Sequence, residues 1–147
     1  MVNKQKRKGT DWEREAVKLL TEMIPGSQWK RVAGSGAIGT IMGEPLLSSD
    51  IVGEVTGIPK KFRLEAKTGY GGATQIAMKR EWFTKNRTEA EGSYALPAVV
   101  MKFSGAQGGS RTVIGLDFEA FAEIMGFVKD LYDDNARLVG SMDKRDG

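Results

Sequence analysis

The sequence contains no cysteine and no histidine. Without cysteine there are no disulfides and no thiolate metal sites, and a reducing cytoplasm is a compatible setting. Without histidine, Ser-His-Asp and Cys-His catalysis, histidine-ligated zinc and a histidine general base are all excluded. No apolar run approaches the roughly 18–20 residues that a membrane-spanning helix needs. Residues 1–8 are basic and lack the apolar segment of a secretory signal. Chemistry on this chain must therefore use carboxylates, lysine, hydroxyls and bound ions.

What is present is a chain of 147 residues, 40% of them apolar, which suffices for one domain with a buried core. The 22 Lys and Arg against 19 Asp and Glu give a net charge of only +3, but the charge is unevenly spread. Lys4, Lys6, Arg7 and Lys8 open the chain with no acid among residues 1–10. Residues 60–87 hold eight basic side chains against Glu65 and Glu81, whereas residues 117–134 hold six acids and only Lys129. A basic side opposed by an acidic one can orient on a phosphate backbone. An unevenly charged, solvated surface accounts for the same counts.

Hydrophobic spacing orders the elements. Thr10, with Glu13 three residues on, reads as a capping box opening a helix. Trp12, Ala16, Leu19, Leu20 and Met23 form its apolar stripe, and Pro25-Gly26 ends it. Residues 28–33 read as a short strand and 34–45 as a glycine-rich loop. Residues 49–56 and 61–67 read as a hairpin about the turn 57–60. A helix is expected over 75–91 with Met78, Trp82 and Phe83 inward, then a buried strand over 96–103. A strand over 111–116 and a helix over 118–131, opened by Asp117, complete the order α-β-β-β-α-β-β-α. That order is a mixed sheet flanked by helices in one α/β domain. The apolar face of the last helix serves either to dimerise or to cover the sheet. Trp12, Trp82 and Phe83 lie on apolar stripes and read as core rather than as base-stacking platforms.

Glu65 and Lys67 are two apart on an expected strand, so both leave the same face, and Leu64 and Ala66 leave the other. If the hairpin is symmetric about Ile58 and Pro59, Asp50 lies opposite Lys67 and diagonal to Glu65. Two carboxylates so close raise each other's proton affinity unless a cation relieves them. Oxygen-only ligands suit Mg²⁺, with Mn²⁺ as the alternative. A plain surface ladder of Asp50, Glu65 and Lys67 would explain the same spacing. Gly34-Ser35-Gly36-Ala37-Ile38-Gly39 satisfies the dinucleotide fingerprint G-x-G-x-x-G. Gly43 and Pro45 follow too soon for the helix that it should open, and no acid lies about twenty residues on, so no small-molecule cofactor is expected.

Asp50, fourteen residues, then Glu65-Ala66-Lys67 resembles the signature of the PD-(D/E)XK nuclease superfamily. Lys8-Gly9-Thr10-Asp11-Trp12-Glu13-Arg14-Glu15 is similar to the opening of one of its branches, the archaeal-type Holliday junction resolvases. Lys30-Arg31-Val32-Ala33-Gly34-Ser35-Gly36, Ile76-Ala77-Met78-Lys79-Arg80-Glu81 and Pro97-Ala98-Val99-Val100-Met101-Lys102-Phe103 follow in that family's order. The likeness covers roughly residues 8–103. Ser49 replaces the superfamily's usual proline, the loop 34–49 is longer than in compact archaeal members, and residues 111–134 have no assigned counterpart.

The resemblance implies a restriction-endonuclease-like fold: a mixed β-sheet flanked by α-helices. It implies a metal-dependent endonuclease that hydrolyses phosphodiester bonds in four-way DNA junctions, leaving 5′-phosphate and 3′-hydroxyl ends. Glu13, Asp50 and Glu65 would hold one or two Mg²⁺ ions, with the Ala66 carbonyl as a further ligand and Lys67 assisting water attack. Lys8, Arg31, Ser35, Lys79 and Arg80 would contact DNA. Glu13 has its rival explanation in the capping box. Two opposed cuts call for a homodimer. The expected layout is a flexible basic arm over 1–9, a nuclease domain over 10–134 and a polar tail over 135–147, working in the cytoplasm of a prokaryotic cell. Rival readings are a PD-(D/E)XK enzyme for flaps, ends or duplex sites, and a non-catalytic DNA-binding module.

Overall fold

A computed structural model describes residues 4–32, 50–70, 74–105 and 111–145. The glycine-rich loop, with Ser35, lies outside the described residues. The elements are α1 (Lys4–Met23), β1 (Ser27–Arg31), β2 (Ile51–Val55), β3 (Lys61–Thr68), α2 (Arg80–Gly92), β4 (Ala95–Lys102), β5 (Thr112–Gly115) and α3 (Phe118–Arg145). Their order is the expected one. The five strands form one mixed sheet in chain order. Pairing is antiparallel at β1/β2, β2/β3 and β4/β5, and parallel at β3/β4, whose crossover is α2.

The parallel pair sits mid-sheet, and its residues are accordingly the driest. In β4 seven of eight residues are buried. Pro97 is tolerated there because β5 pairs only with Val99–Lys102, so no second neighbour needs its missing N–H. One face packs Trp12 and Ala16 of α1 against Ile51, Leu64, Leu96, Ala98 and Val100, with Ile124 and Phe127 of α3 joining. The other packs Trp82 of α2 against Val99 and Met101. Trp12 and Trp82 are thus core residues, as their stripes indicated. Gly53 faces the Trp29 ring so closely that a Cβ would lie 2.2 Å from it, so β1 can lie flat on β2 only with glycine there.

Three boundaries differ from expectation. Helix α1 begins at Lys4, so residues 4–9 are its first turns and not a flexible arm. Lysine, glutamine and arginine are good helix formers, and Gly9 costs only about 1 kcal/mol relative to alanine. Thr10 is therefore inside the helix, and the capping-box account of Glu13 does not apply. Helix α2 starts at Arg80 rather than 75, because the Ala77 N–H is held by the Tyr70 carbonyl at 2.9 Å. Met78 consequently lies outside the helix and is exposed. Helix α3 runs to Arg145, so residues 135–145 of the expected polar tail continue the helix expected over 118–131. Lys129–Asp133 and Arg137–Asp134 pairs line its exposed side at helical spacing. Among the described residues no helix is long and apolar enough to cross a membrane.

Candidate active site

The hairpin turns about Gly57-Ile58, one residue earlier than symmetry about Ile58-Pro59 would give. Gly57 adopts φ +94°, which glycine takes freely. Ile51 therefore pairs with Leu64 and Val52 with Arg63. The register is displaced by two residues, and a displacement of two keeps every side chain on its face. Asp50 is set beside Glu65 rather than across from Lys67. Its main chain is pinned on both sides, its N–H donating to the Leu64 carbonyl (3.2 Å) and its carbonyl accepting from the Val32 N–H (2.9 Å). Its Oδ2 accepts the Ala66 N–H at 2.9 Å.

Burial and the neighbouring Asp50 carboxylate, which is hydrogen-bonded to it, push the Glu65 carboxyl up to about 7, with Lys67 and Arg63 pulling the other way. Near neutrality the Glu65 carboxyl is therefore about half protonated. Lys67 leaves the same face, and its Nζ lies 5.2 Å from the Trp82 ring centroid and 6.0 Å from that of Tyr70. The two rings meet edge to face at 4.8 Å. The ammonium is thus held in an aromatic corner beside a carboxylate pair.

Glu13 approaches from α1 on the other face of the sheet. Arg31 grips its Oε2 with Nε and Nη2, each at 2.9 Å. Burial raises the Glu13 carboxyl, the Arg31 hydrogen bond opposes that rise, and the field of Asp50 adds to it. Arg31 thus orients Glu13 through Nε and Nη2. Among the described residues no three carboxylates gather as ligands of one ion. Asp50 and Glu65 are nevertheless suited to a hard divalent cation, because a cation between two adjoining carboxyl groups relieves the repulsion that holds Glu65 above its usual range. Glu13 stands behind them.

Lys8 lines an open groove with Ala66, Lys67, Thr68 and Tyr70. Through Lys8 and Thr68 this continues into a groove of about 470 Å³ bordered by Lys4, Arg7, Lys102 and Arg111. Lys79 sits over the Tyr70 ring at 5.8 Å, near Lys67. Arg80 instead lines a separate groove with Phe83 and Arg87, between α2 and the start of α3. Sequence reasoning missed Tyr70, Lys102 and Arg111. A signal for Lys102 existed: it ends an apolar strand in register with Thr68, at the carboxyl ends of two parallel strands, where α/β sheets bind ligands. Lys102 is paired with Glu15 at that rim.

The raised Glu65 carboxyl makes a stability prediction. Its native value of about 7 exceeds the unperturbed 4.5, so between those values the native state binds more protons than the unfolded chain. This contribution is full below about pH 4.5 and is lost as pH rises through 7. In EDTA, the drop in Tm from pH 5 to pH 8 should be smaller for Glu65→Gln than for the parent. Identical drops would show that Glu65 titrates normally.

Residues 4–130 match the model of a family described as "Phage putative PDDEXK endonuclease". Among solved structures, the chain is similar to the Hjc Holliday junction resolvase of Archaeoglobus fulgidus, an archaeal hyperthermophile. Identity is 20%, with 75% of this chain and 84% of that one covered and a TM-score of 0.47. No curated protein matches. With the family model spanning most of its length, and with an Asp, a Glu and a Lys on one face of a β-hairpin, the chain belongs to the phage PDDEXK endonuclease family.

Proposed function

We propose that this protein is a metal-dependent, structure-selective DNA endonuclease that resolves four-way junctions as a homodimer during recombination or repair. The observation that carries the reading is the half-buried Asp50–Glu65 pair with Lys67 on the same face, opening on a basic groove. Asp50 and Glu65 would hold Mg²⁺, or Mn²⁺, with the Ala66 carbonyl as a further ligand, and Glu13, oriented by Arg31, would add its negative field from behind them. The bound ion supplies Lewis acidity and an activated water. Lys67 would lie beside the scissile phosphate, position the attacking water and offset charge that builds on phosphorus. Lys8 and Lys79 would contact the backbone next to the site and Arg80 farther away, while Ser35 is assigned to DNA by the order of the motifs alone. The motif order over residues 8–103 supports a junction over other substrates.

Shape and phosphate contacts dominate such recognition over base readout. The test is cleavage of a labelled four-way junction, a matched linear duplex and a flap, each with Mg²⁺ and with EDTA. Paired, symmetric nicks with 5′-phosphate ends, confined to the junction and to Mg²⁺, are expected. Equal or greater cutting of linear or flap DNA would replace the junction reading with that of another PD-(D/E)XK substrate class.

A further inference from the structure

Helix α3 carries a seven-residue repeat that the nuclease site does not use. Its body-facing side is Ala120, Ile124 and Phe127, with Glu123 paired to Lys60. About 100° around the helix lies a second stripe. Phe118, Met125, Tyr132 and Val139 recur every seven residues, and Phe121, Val128, Asn135 and Met142 follow each of them by three. This is the strict 3-4 alternation of a coiled-coil seam, kept for about 36 Å of helix. All eight positions are exposed, Phe118 to 93% and Tyr132 to 73%. Beyond Leu131 nearly every residue of the helix is exposed. Among the described residues nothing covers the stripe, and apolar stripes of this length mark interaction sites.

We infer that α3 pairs with α3 of a second copy as an antiparallel two-helix coil. The seam is complementary to itself in that direction and register. Phe118 meets Met142 of the second copy, Phe121 meets Val139, Met125 meets Asn135 and Val128 meets Tyr132, each first-series residue facing a second-series one. Ala122 and Ala136, small enough for close approach, flank the seam opposite each other. Charge permits it: about the two-fold point at residue 130, the acidic half 118–130 of each helix lies along a neutral half of the other, where Asp133, Asp134 and Asp143 are balanced by Arg137, Lys144 and Arg145. The antiparallel direction also opposes the helix dipoles. Lys129 meets its own counterpart near the two-fold axis, where Asp133 of the same helix neutralises it at 2.6 Å. A closed two-fold arrangement follows.

The surface deepens the homodimer of the proposed function and rests on that reading for its purpose, but assembly and cleavage are measured separately. Sedimentation equilibrium of the full chain at about 100 µM should give twice the 16.1 kDa chain mass. Val128→Asp, and independently Val139→Asp on the part of α3 clear of the body, should weaken dimerisation at least 100-fold. A parent that sediments as a monomer, or variants that still dimerise, would overturn the interface. Because the chain lacks cysteine, orientation can be read directly. Met125→Cys mixed with Asn135→Cys should form an intermolecular disulfide that neither variant forms alone. Cross-linking of either variant with itself would overturn the antiparallel arrangement. Mg²⁺-stimulated nicking of the four-way junction by both aspartate variants, now as single unpaired nicks, reports the site alone, so a lost interface is distinguished from a lost nuclease.

Discussion

Replacing Asp50 with Asn or Glu65 with Gln should reduce Mg²⁺-stimulated DNA cleavage by about 10³-fold or more while leaving the fold intact. Both substitutions are close to isosteric. The amide of the Asp50→Asn variant would still present an oxygen to the Ala66 N–H, so the bond at 2.9 Å survives. Glu65→Gln removes a carboxylate that burial and Asp50 had already made costly to ionise, so the variant should be as stable as the parent or more so near pH 8. Loss of activity therefore cannot be attributed to unfolding. Gel-based cleavage assays, with circular dichroism of the same samples, check the result. Retained cleavage in both variants would remove these carboxylates from the active site.

The second large effect concerns stability. Arg63 is fully buried on the face of β3 that carries Glu65. Its guanidinium reaches the Glu89 carboxylate and both the side-chain and main-chain oxygens of Asn86 in α2, and Asn86 in turn donates to the Ala98 carbonyl at 3.0 Å. Arg63→Ala leaves Glu89 without this partner in a partly buried position and opens a void between helix and sheet. A loss of about 3–5 kcal/mol is expected, equivalent to a fall in Tm of roughly 10 °C or more, measured by urea and thermal unfolding. Arg63→Met together with Glu89→Leu should recover most of the loss, because a packed apolar pair replaces buried charges without leaving one unmatched. A cost below about 1 kcal/mol for Arg63→Ala would show that the network is solvated and weak.

The order of helices and strands was legible because each has a clear period. Trp12, Ala16 and Leu20 recur at helical spacing, and residues 95–101 are an apolar run fit for a central strand. The shared face of Asp50, Glu65 and Lys67 was legible too, since it depends only on the parity of the strand. Their distances were not. The turn could have centred on either of two residue pairs, and a displacement of two residues exchanges Lys67 for Glu65 as the neighbour of Asp50. Helix extents were illegible where no cap or proline marks a stop, as before Thr10 in α1 and beyond Leu131 in α3. Arg63 gave no sign of burial, because its partners Asn86 and Glu89 come from a helix more than twenty residues away. Tyr70 and Trp82 beside Lys67 were hidden for the same reason: a cation meets aromatic rings only after α2 has packed.

The strand residue that tethers Asp50 does so through its peptide N–H and not through its side chain. Mutation at position 66 can therefore change the methyl group that packs into the core without cutting the tether. Proline alone among the twenty amino acids would sever it, by deleting the hydrogen. Evolutionary drift at Ala66 is thus limited by volume on the packed side of the strand, and the aspartate's aim is inherited from the backbone.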